Sequence, residues 1–363
     1  MSFFNIYKGK KVIVTGHTGF KGSWLSIWLK QLGAEVYGYA LSPYSDQDNF
    51  VKAGLENQIH HQIGDVRNGT QLKAYFHDIQ PDFAFHLAAQ PLVLLSYQDP
   101  QGTFETNLLG VINFLEAVRS TPSVKVAVNV TSDKCYDNKE WIWGYRENDA
   151  MGGKDPYSAS KGCAELITAS YIHSFFSKED SCLVASARAG NVIGGGDWAA
   201  DRIVPDFFRA QWKNEKLHIR NPYATRPWEH VLEPLSGYLT LAAKMFLEGR
   251  KFSGGWNFGP EDAANFSVQE LIDAILIEDS RGGYSFPENL EKPHEATLLK
   301  LDISKAVGLL KWKPTLSFPE TVQFTVKGYS DEQQYPNEVY QKRIDQILHY
   351  TELARLKNIH WSM

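Results

Sequence analysis

Lys11 to Thr15 forms a short apolar run that stops at Gly16, and from Ser23 onward Trp24, Leu25, Trp28, Leu29 and Leu32 recur at helical spacing. The implied order is strand, tight loop, helix. Further strands are expected over Glu35 to Leu41, Ile59 to Ile63 and Asp82 to Leu87, each set off by helix or turn signals. Between Gly102 and Ser120, the residues Leu108, Val111, Ile112, Leu115 and Val118 make one helical stripe. A strand then follows over Val124 to Val130, a helix over Pro156 to Phe176, and a strand over Leu183 to Ala187 that completes the expected sheet. Alternation of this kind predicts an α/β fold with a doubly wound parallel sheet, covered on both faces.

After Arg188 the regularity is lost. Asn191-Val192-Ile193-Gly194-Gly195-Gly196-Asp197-Trp198 reads as a loop, and short helices then alternate with aromatic and proline-rich turns. The pattern divides the chain into a first domain, 1–188, and a smaller C-terminal α/β lobe, 189–363. Part of 229–250 is apolar enough to pack back on the first domain.

With 363 residues and 43% hydrophobic side chains the chain can bury a substantial core. A formal net charge of -5 with no long run of one sign points away from nucleic acid and from anionic membranes, leaving small metabolites as the expected partners. Cys135, Cys163 and Cys182 are odd in number and lack metal-ligand spacing, so reduced thiols and no metal site are expected. No apolar run has the length of a signal segment or a membrane span, which suggests a cytoplasmic protein.

Candidate chemistry lies in three segments. Gly16, Gly19 and Gly22, between a strand and a helix, allow a tight turn, and the helix start offers free N–H groups to a pyrophosphate. Tyr157 and Lys161 are one helical turn apart, so the ammonium is expected to ease ionisation of the phenol and make it a base for an alcohol proton. Ser132 lies just past a strand, at the sheet edge where such folds bind ligands, and its hydroxyl would bond the substrate oxygen that Tyr157 deprotonates.

The glycine spacing, followed in order by Ser132 and the Tyr-x-x-x-Lys pair, resembles the extended branch of the short-chain dehydrogenase/reductase superfamily. The resemblance implies that 1–188 is an NAD-binding Rossmann domain. It carries over Gly16, His17, Gly19, Phe20 and Gly22 of the loop as cofactor contacts. It adds Asp65 and Val66 near the adenine, then Ala88, Ala89, Gln90, Asn107, Tyr157 and Lys161. One departure is that Tyr37-Gly38-Tyr39-Ala40-Leu41-Ser42 ends the second strand with no carboxylate for the ribose hydroxyls and no arginine for a 2′-phosphate. NAD held less tightly than usual is therefore expected, with Asp46 and Asp48 as solvated loop charges.

Ser132-Asp133-Lys134-Cys135-Tyr136 resembles the Thr-Asp-Glu segment of nucleotide-sugar 4,6-dehydratases, in which Asp and Glu act as acid and base on neighbouring sugar carbons. Asp133 matches the acid, and Lys134 stands where many of these enzymes have Glu. Gly194 to Trp198 and Arg226-Pro227-Trp228-Glu229-His230-Val231-Leu232-Glu233-Pro234 extend the likeness to the members that act on CDP-glucose, from about residue 8 to Leu301-Asp302. The resemblance implies CDP-D-glucose as substrate and CDP-4-keto-6-deoxy-D-glucose as product, an early intermediate toward the 3,6-dideoxyhexoses of lipopolysaccharide O-antigens. Oxidation at sugar carbon 4 would acidify carbon 5, water would leave across carbons 5 and 6, and the stored hydride would return to carbon 6. Asn191, Arg202, Arg220, Arg226 and His294 are the implied contacts to nucleotide, sugar and pyrophosphate in the nucleotide-sugar-binding lobe. The helices around 102–120 and 156–176 are the implied homodimer interface. Two alternatives stand: a nucleotide-sugar 4-epimerase, which has no use for Asp133, and a redox-inactive NAD-sensing protein, which has none for the Tyr157–Lys161 pair.

Overall fold

A computed structural model describes residues 2–219, 221–261, 265–286 and 298–363, so Arg220 and His294 lie outside the described residues. The strands are β1 (Lys11–Thr15), β2 (Glu35–Ala40), β3 (His60–Ile63), β4 (Phe83–His86), β5 (Val126–Val130), β6 (Leu183–Ala189) and β7 (Gly254–Phe258). They form one parallel sheet in the order β7-β6-β5-β4-β1-β2-β3. The doubly wound α/β sheet expected from the pattern is present. Its winding reverses between β1 and β4, which opens a crevice at their C-terminal ends.

Successive side chains on a strand face opposite layers, and the two cores follow this period of two. Val12, Val14, Phe83 and Phe85 join one core with Trp24, Leu25 and Trp28 of α1 (Phe20–Gln31). Ile13, Ala84 and Ala127 join the other. That second layer is α2 (Gly69–Ile79), α3 (Gly110–Arg119) and α4 (Pro156–Ser174), with Leu72, Phe76, Phe114 and Ala164 as their buried faces.

Two local differences from the sequence pattern matter. The helix expected over 102–120 is interrupted: Pro100–Phe104 leads into a π-turn over Glu105–Leu109 before α3 begins. And the sheet continues past β6, because Gly254–Phe258 pairs in parallel with Ala185–Ala189. Flanking glycines and Pro260 made that segment read as a turn.

Beyond β6 the chain builds α5 (Ile203–Trp212), α6 (Leu232–Glu248), α7 (Val268–Glu278), α8 (Phe318–Gln334) and α9 (Val339–Leu356). Helices α5, α7 and α8 enclose a separate core that includes Phe207, Phe208, Leu271, Ile275, Val322 and Tyr329. Helices α6 and α9 instead return to the sheet: Leu232, Leu235 and Leu239 of α6 and Tyr350 of α9 lie in the first core. No described helix is long and apolar enough to cross a membrane.

Candidate active site

The glycine loop is pressed onto the end of β4. Gly16 has φ of +76°, and a Cβ there would stand 2.6 Å from the Ala88 nitrogen. Gly19 is the N-cap of α1 and offers no side-chain cap, so first-turn N–H groups are left for an anion. The facing segment is clamped by Asn107: its Oδ1 accepts from the Gln90 N–H at 2.8 Å, and its Nδ2 donates to the Gln90 carbonyl at 3.1 Å and to Ser160 Oγ at 2.8 Å. The π-turn aims Asn107 inward, and its amide is spent tying Ala88–Gln90 to α4.

Other expected cofactor residues differ in their surroundings. Phe20 is half-buried at the start of α1, and Val66 is buried against Gly110. The Asp65 carboxylate takes Arg67 Nη2 at 2.6 Å, and that hydrogen bond holds it below the usual carboxylate range. His17 is fully buried, its ring filling the space above Gly38 with its edge toward Phe50, 5.2 Å between centroids. Neither ring nitrogen has a partner, and burial, helped by the charge of His61, lowers its pKa to about 3, so the ring is neutral. Asp48 turns into its own loop, accepting from the Tyr44 N–H at 2.7 Å. The loop, the bare helix start and the clamped segment fit a dinucleotide pyrophosphate.

Helix α4 starts at an Asp155 N-cap that accepts the Ser158 N–H at 2.9 Å, with Pro156 at its first position. Tyr157 and Lys161 are both buried. The turn after β5 reaches α4 because Gly162 has no side chain: a Cβ there would be 2.5 Å from the Gly152 carbonyl oxygen and 3.1 Å from that of Cys135. This close approach brings Ser132 and Asp133 to Tyr157. Ser132 Oγ donates to Asp133 Oδ1 at 2.9 Å, and Asp133 Oδ2 is buried without a partner.

The phenol does not behave as the Tyr–Lys spacing suggested. Burial pushes the Tyr157 pKa up to about 12; the Ser132 hydroxyl and the Arg202 charge favour the tyrosinate, while Asp133 opposes it. Lys161 is itself lowered to about 8, first by burial and then by the charge of Lys21. In a dry pocket desolvation outweighs the benefit the two groups would give each other. Lys134 is half-buried, and its amine makes no hydrogen bond or ion pair among the described residues.

A buried ion pair fixes this frame. Glu165, one turn beyond Lys161, accepts Arg188 Nη2 at 2.8 Å, Ser186 Oγ at 2.6 Å and the Thr131 hydroxyl next to Ser132. Arg188 also donates to Tyr136 Oη at 2.6 Å. Burial alone would raise the Glu165 carboxyl, but the Arg188 charge and these donors hold it below its ordinary range.

On the second-lobe side Arg202 Nη1 binds Asp197 Oδ2 at 2.9 Å, and its charge reaches Tyr157. The Asn191 carbonyl accepts the Glu229 N–H at 3.1 Å. Arg226 lies on the short strand Thr225–Pro227, antiparallel to Asn265–Ser267, and donates to the Thr225 carbonyl at 2.8 Å. Two charged residues given no role from sequence complete the centre. Lys21, at the second position of α1, faces Glu229, Arg202, Asp133 and Asp197, and burial lowers its pKa to about 8. Glu229 is 1% exposed, and burial pushes its acid well up. The one signal was charge within otherwise apolar or glycine-rich motifs.

Residues 13–325 match the family model described as GDP-mannose 4,6 dehydratase. A CDP-glucose 4,6-dehydratase of Salmonella typhimurium is 49% identical over 329 residues, covering 90% of this chain and 92% of that protein. A dTDP-glucose 4,6-dehydratase of Xanthomonas campestris is 23% identical, covering 87% and 92%. Among solved structures, an epimerase of Methanothermobacter thermautotrophicus superposes with a TM-score of 0.77 at 24% identity, covering 93% of this chain and 96% of its own. A UDP-glucose-4-epimerase of Stenotrophomonas maltophila with bound NAD gives 0.77 at 20% identity, covering 90% and 99%. These structural likenesses speak for the fold.

Proposed function

The chain belongs to the GDP-mannose 4,6 dehydratase family, and on that footing we propose that it converts CDP-D-glucose to CDP-4-keto-6-deoxy-D-glucose and water. The observation that carries the reading is Asp133, a buried carboxyl with a free Oδ2, tied through Ser132 to the neighbourhood of Tyr157. The substrate's nucleotide is taken from the Salmonella typhimurium relative. An epimerase would have no task for that acid.

NAD fits the cradle of Gly16, Gly19, Gly22 and the first turn of α1, and when bound it would supply the hydride acceptor for sugar carbon 4 and the donor for carbon 6. Tyr157 takes the 4-hydroxyl proton, with Ser132 and Arg202 as the groups that favour the tyrosinate. Lys161 holds the ribose side. The carbon 4 ketone acidifies carbon 5, whose proton passes to Lys134, the half-buried amine with no other bond. Asp133 gives its proton to the departing 6-hydroxyl. Arg202, Arg226 and Asn191, with Arg220 and His294, bind the nucleotide and pyrophosphate. A homodimer is part of the proposal: Leu109 and Leu166 expose apolar side chains on the 100–119 segment and α4, whereas Val111 and Leu115 are used inside the chain's own core.

The test supplies CDP-, dTDP-, UDP- and GDP-hexoses separately with NAD and measures 4-keto-6-deoxy sugar. CDP-glucose is expected to be converted in preference; preferential conversion of another would overturn the substrate.

A further inference from the structure

Two buried carboxylates in the centre carry oxygens that bind nothing: Oδ2 of Asp133 and both oxygens of Glu229. They flank Gly190. A Cβ on that glycine would lie 3.3 Å from Asp133 Oδ2, while its N–H lies close enough to Glu229 to favour the carboxylate without completing a hydrogen bond. Glu229 is fixed there by register, opposite Val192 in a short parallel pair. The cation facing both carboxylates is Lys21, over the Tyr238 ring at 6.0 Å from its centroid. Among the described residues Lys21 and Glu229 do not close into a direct ion pair. A buried, unbonded carboxylate is costly, so a fold that leaves Glu229 bare uses its charge.

We propose that Glu229 is a positioning residue that offsets the Lys21 ammonium at Asp133, so that Asp133 can hold the proton it delivers to the departing hydroxyl. The proposal rests on the dehydratase reading above. An ammonium alone beside Asp133 favours its carboxylate form, which has no proton to give; a negative charge on the far side of Gly190 cancels that bias.

The other groups facing this cluster are already compensated or belong to the hydride side. Asp197 and Arg202, before α5, pair with each other at 2.9 Å. Glu233 of α6 is bonded by the Thr315 and Leu316 N–H groups and by Tyr350. Tyr238 is a neutral phenol whose acidity burial suppresses. Lys161 and Tyr157 face from α4, where Glu165 lends Lys161 its negative charge. Protons balance over a turnover: Tyr157 gains one from the 4-hydroxyl, Asp133 loses one to the leaving water, and the Ser132 hydroxyl, bonded to Asp133 at 2.9 Å, offers the path that returns it.

The experiment compares the parent protein, Glu229→Gln and the double variant Lys21→Met with Glu229→Gln, each with NAD and CDP-glucose. Single-turnover cofactor reduction and 4-keto-6-deoxy product are followed from about pH 6 to 9. Glu229→Gln is expected to move the upper limb of the dehydration profile down by about one pH unit, a roughly tenfold loss of product at a fixed pH on that limb. Cofactor reduction should stay within about twofold. The double variant, with both charges gone, should recover the limb. An unmoved limb in Glu229→Gln, or a folded double variant with no recovery, overturns the inference. A parent protein that makes no keto sugar overturns the dehydratase reading itself.

Discussion

Replacing Gly162 by Ala tests whether the contact between α4 and the turn after β5 sets the catalytic geometry. The added Cβ would meet the Gly152 oxygen at 2.5 Å where ordinary contact begins at 3.4 Å, so the two backbones must part by about 0.9 Å. The Gly152 N–H is bonded to the Cys135 carbonyl at 2.8 Å, and Cys135 is two residues past Asp133, so the push reaches Ser132 and Asp133. Overpacking costs ~1–3 kcal/mol, and the better helix propensity of Ala returns about 1 kcal/mol. The net loss of stability is therefore about 0–2 kcal/mol, too small to unfold the protein. A misplacement near 1 Å, by contrast, can lower turnover by about 10²-fold. The assay is kcat for 4-keto-6-deoxy sugar alongside urea unfolding, with Gly308→Ala as control because a Cβ there meets nothing within 4 Å. Gly162→Ala turning over at the parent rate would refute the reasoning.

Asp133→Asn should block water loss while sparing the first hydride transfer, so reduced cofactor accumulates and keto sugar does not; product at the parent rate removes Asp133 from the mechanism. Lys161→Met should be inactive yet more stable near neutral pH. The Lys161 amine is held at about 8 against an ordinary 10.5, so the unfolded chain binds its proton more tightly and stability rises from about pH 8 to 10.5. Removing the amine should gain up to about 3 kcal/mol near pH 7 and flatten that part of the rise, read from urea midpoints at neutral and alkaline pH; a less stable variant would contradict it. Arg188→Met leaves Glu165 buried and uncompensated, with an expected loss of ~3–5 kcal/mol. Adding Glu165→Leu should recover most of it, and urea titration of both variants checks the sign.

What could be read from the chain follows from how local the signal is. β1 to β6 announced themselves because both faces of a parallel strand are buried and leave an apolar run. β7 did not, since Gly254 and Gly255 open it and Pro260 follows. Tyr157 and Lys161 were legible as a helical spacing, but the acidity of the phenol was not, because burial outweighs the neighbour that spacing supplies. The π-turn was equally silent: one extra residue in a turn leaves the stripe from Leu108 to Val118 almost unchanged, yet it is what turns Asn107 inward. Glu165, Arg188, Lys21 and Glu229 share a different difficulty. Their burial comes from the meeting of α1, α4, β6 and the segment at 229, and no local pattern marks a charge that tertiary approach will enclose.

The placement of these charges addresses two demands that conflict. Taking a proton and hydride from carbon 4 calls for positive potential around Tyr157, to favour the tyrosinate. Expelling the 6-hydroxyl calls for an acid that keeps its proton, which positive potential works against. Asp133 and Tyr157 are too close for separate environments, since Ser132 touches both. The fold instead supplies two cation–carboxylate arms. Lys161 has Glu165 and Arg188 behind it on α4 and β6, and Lys21 has Glu229 across Gly190. Because the first arm is closed by hydrogen bonds and the second is left open, changing a charge in the second should alter the elimination before it alters the fold.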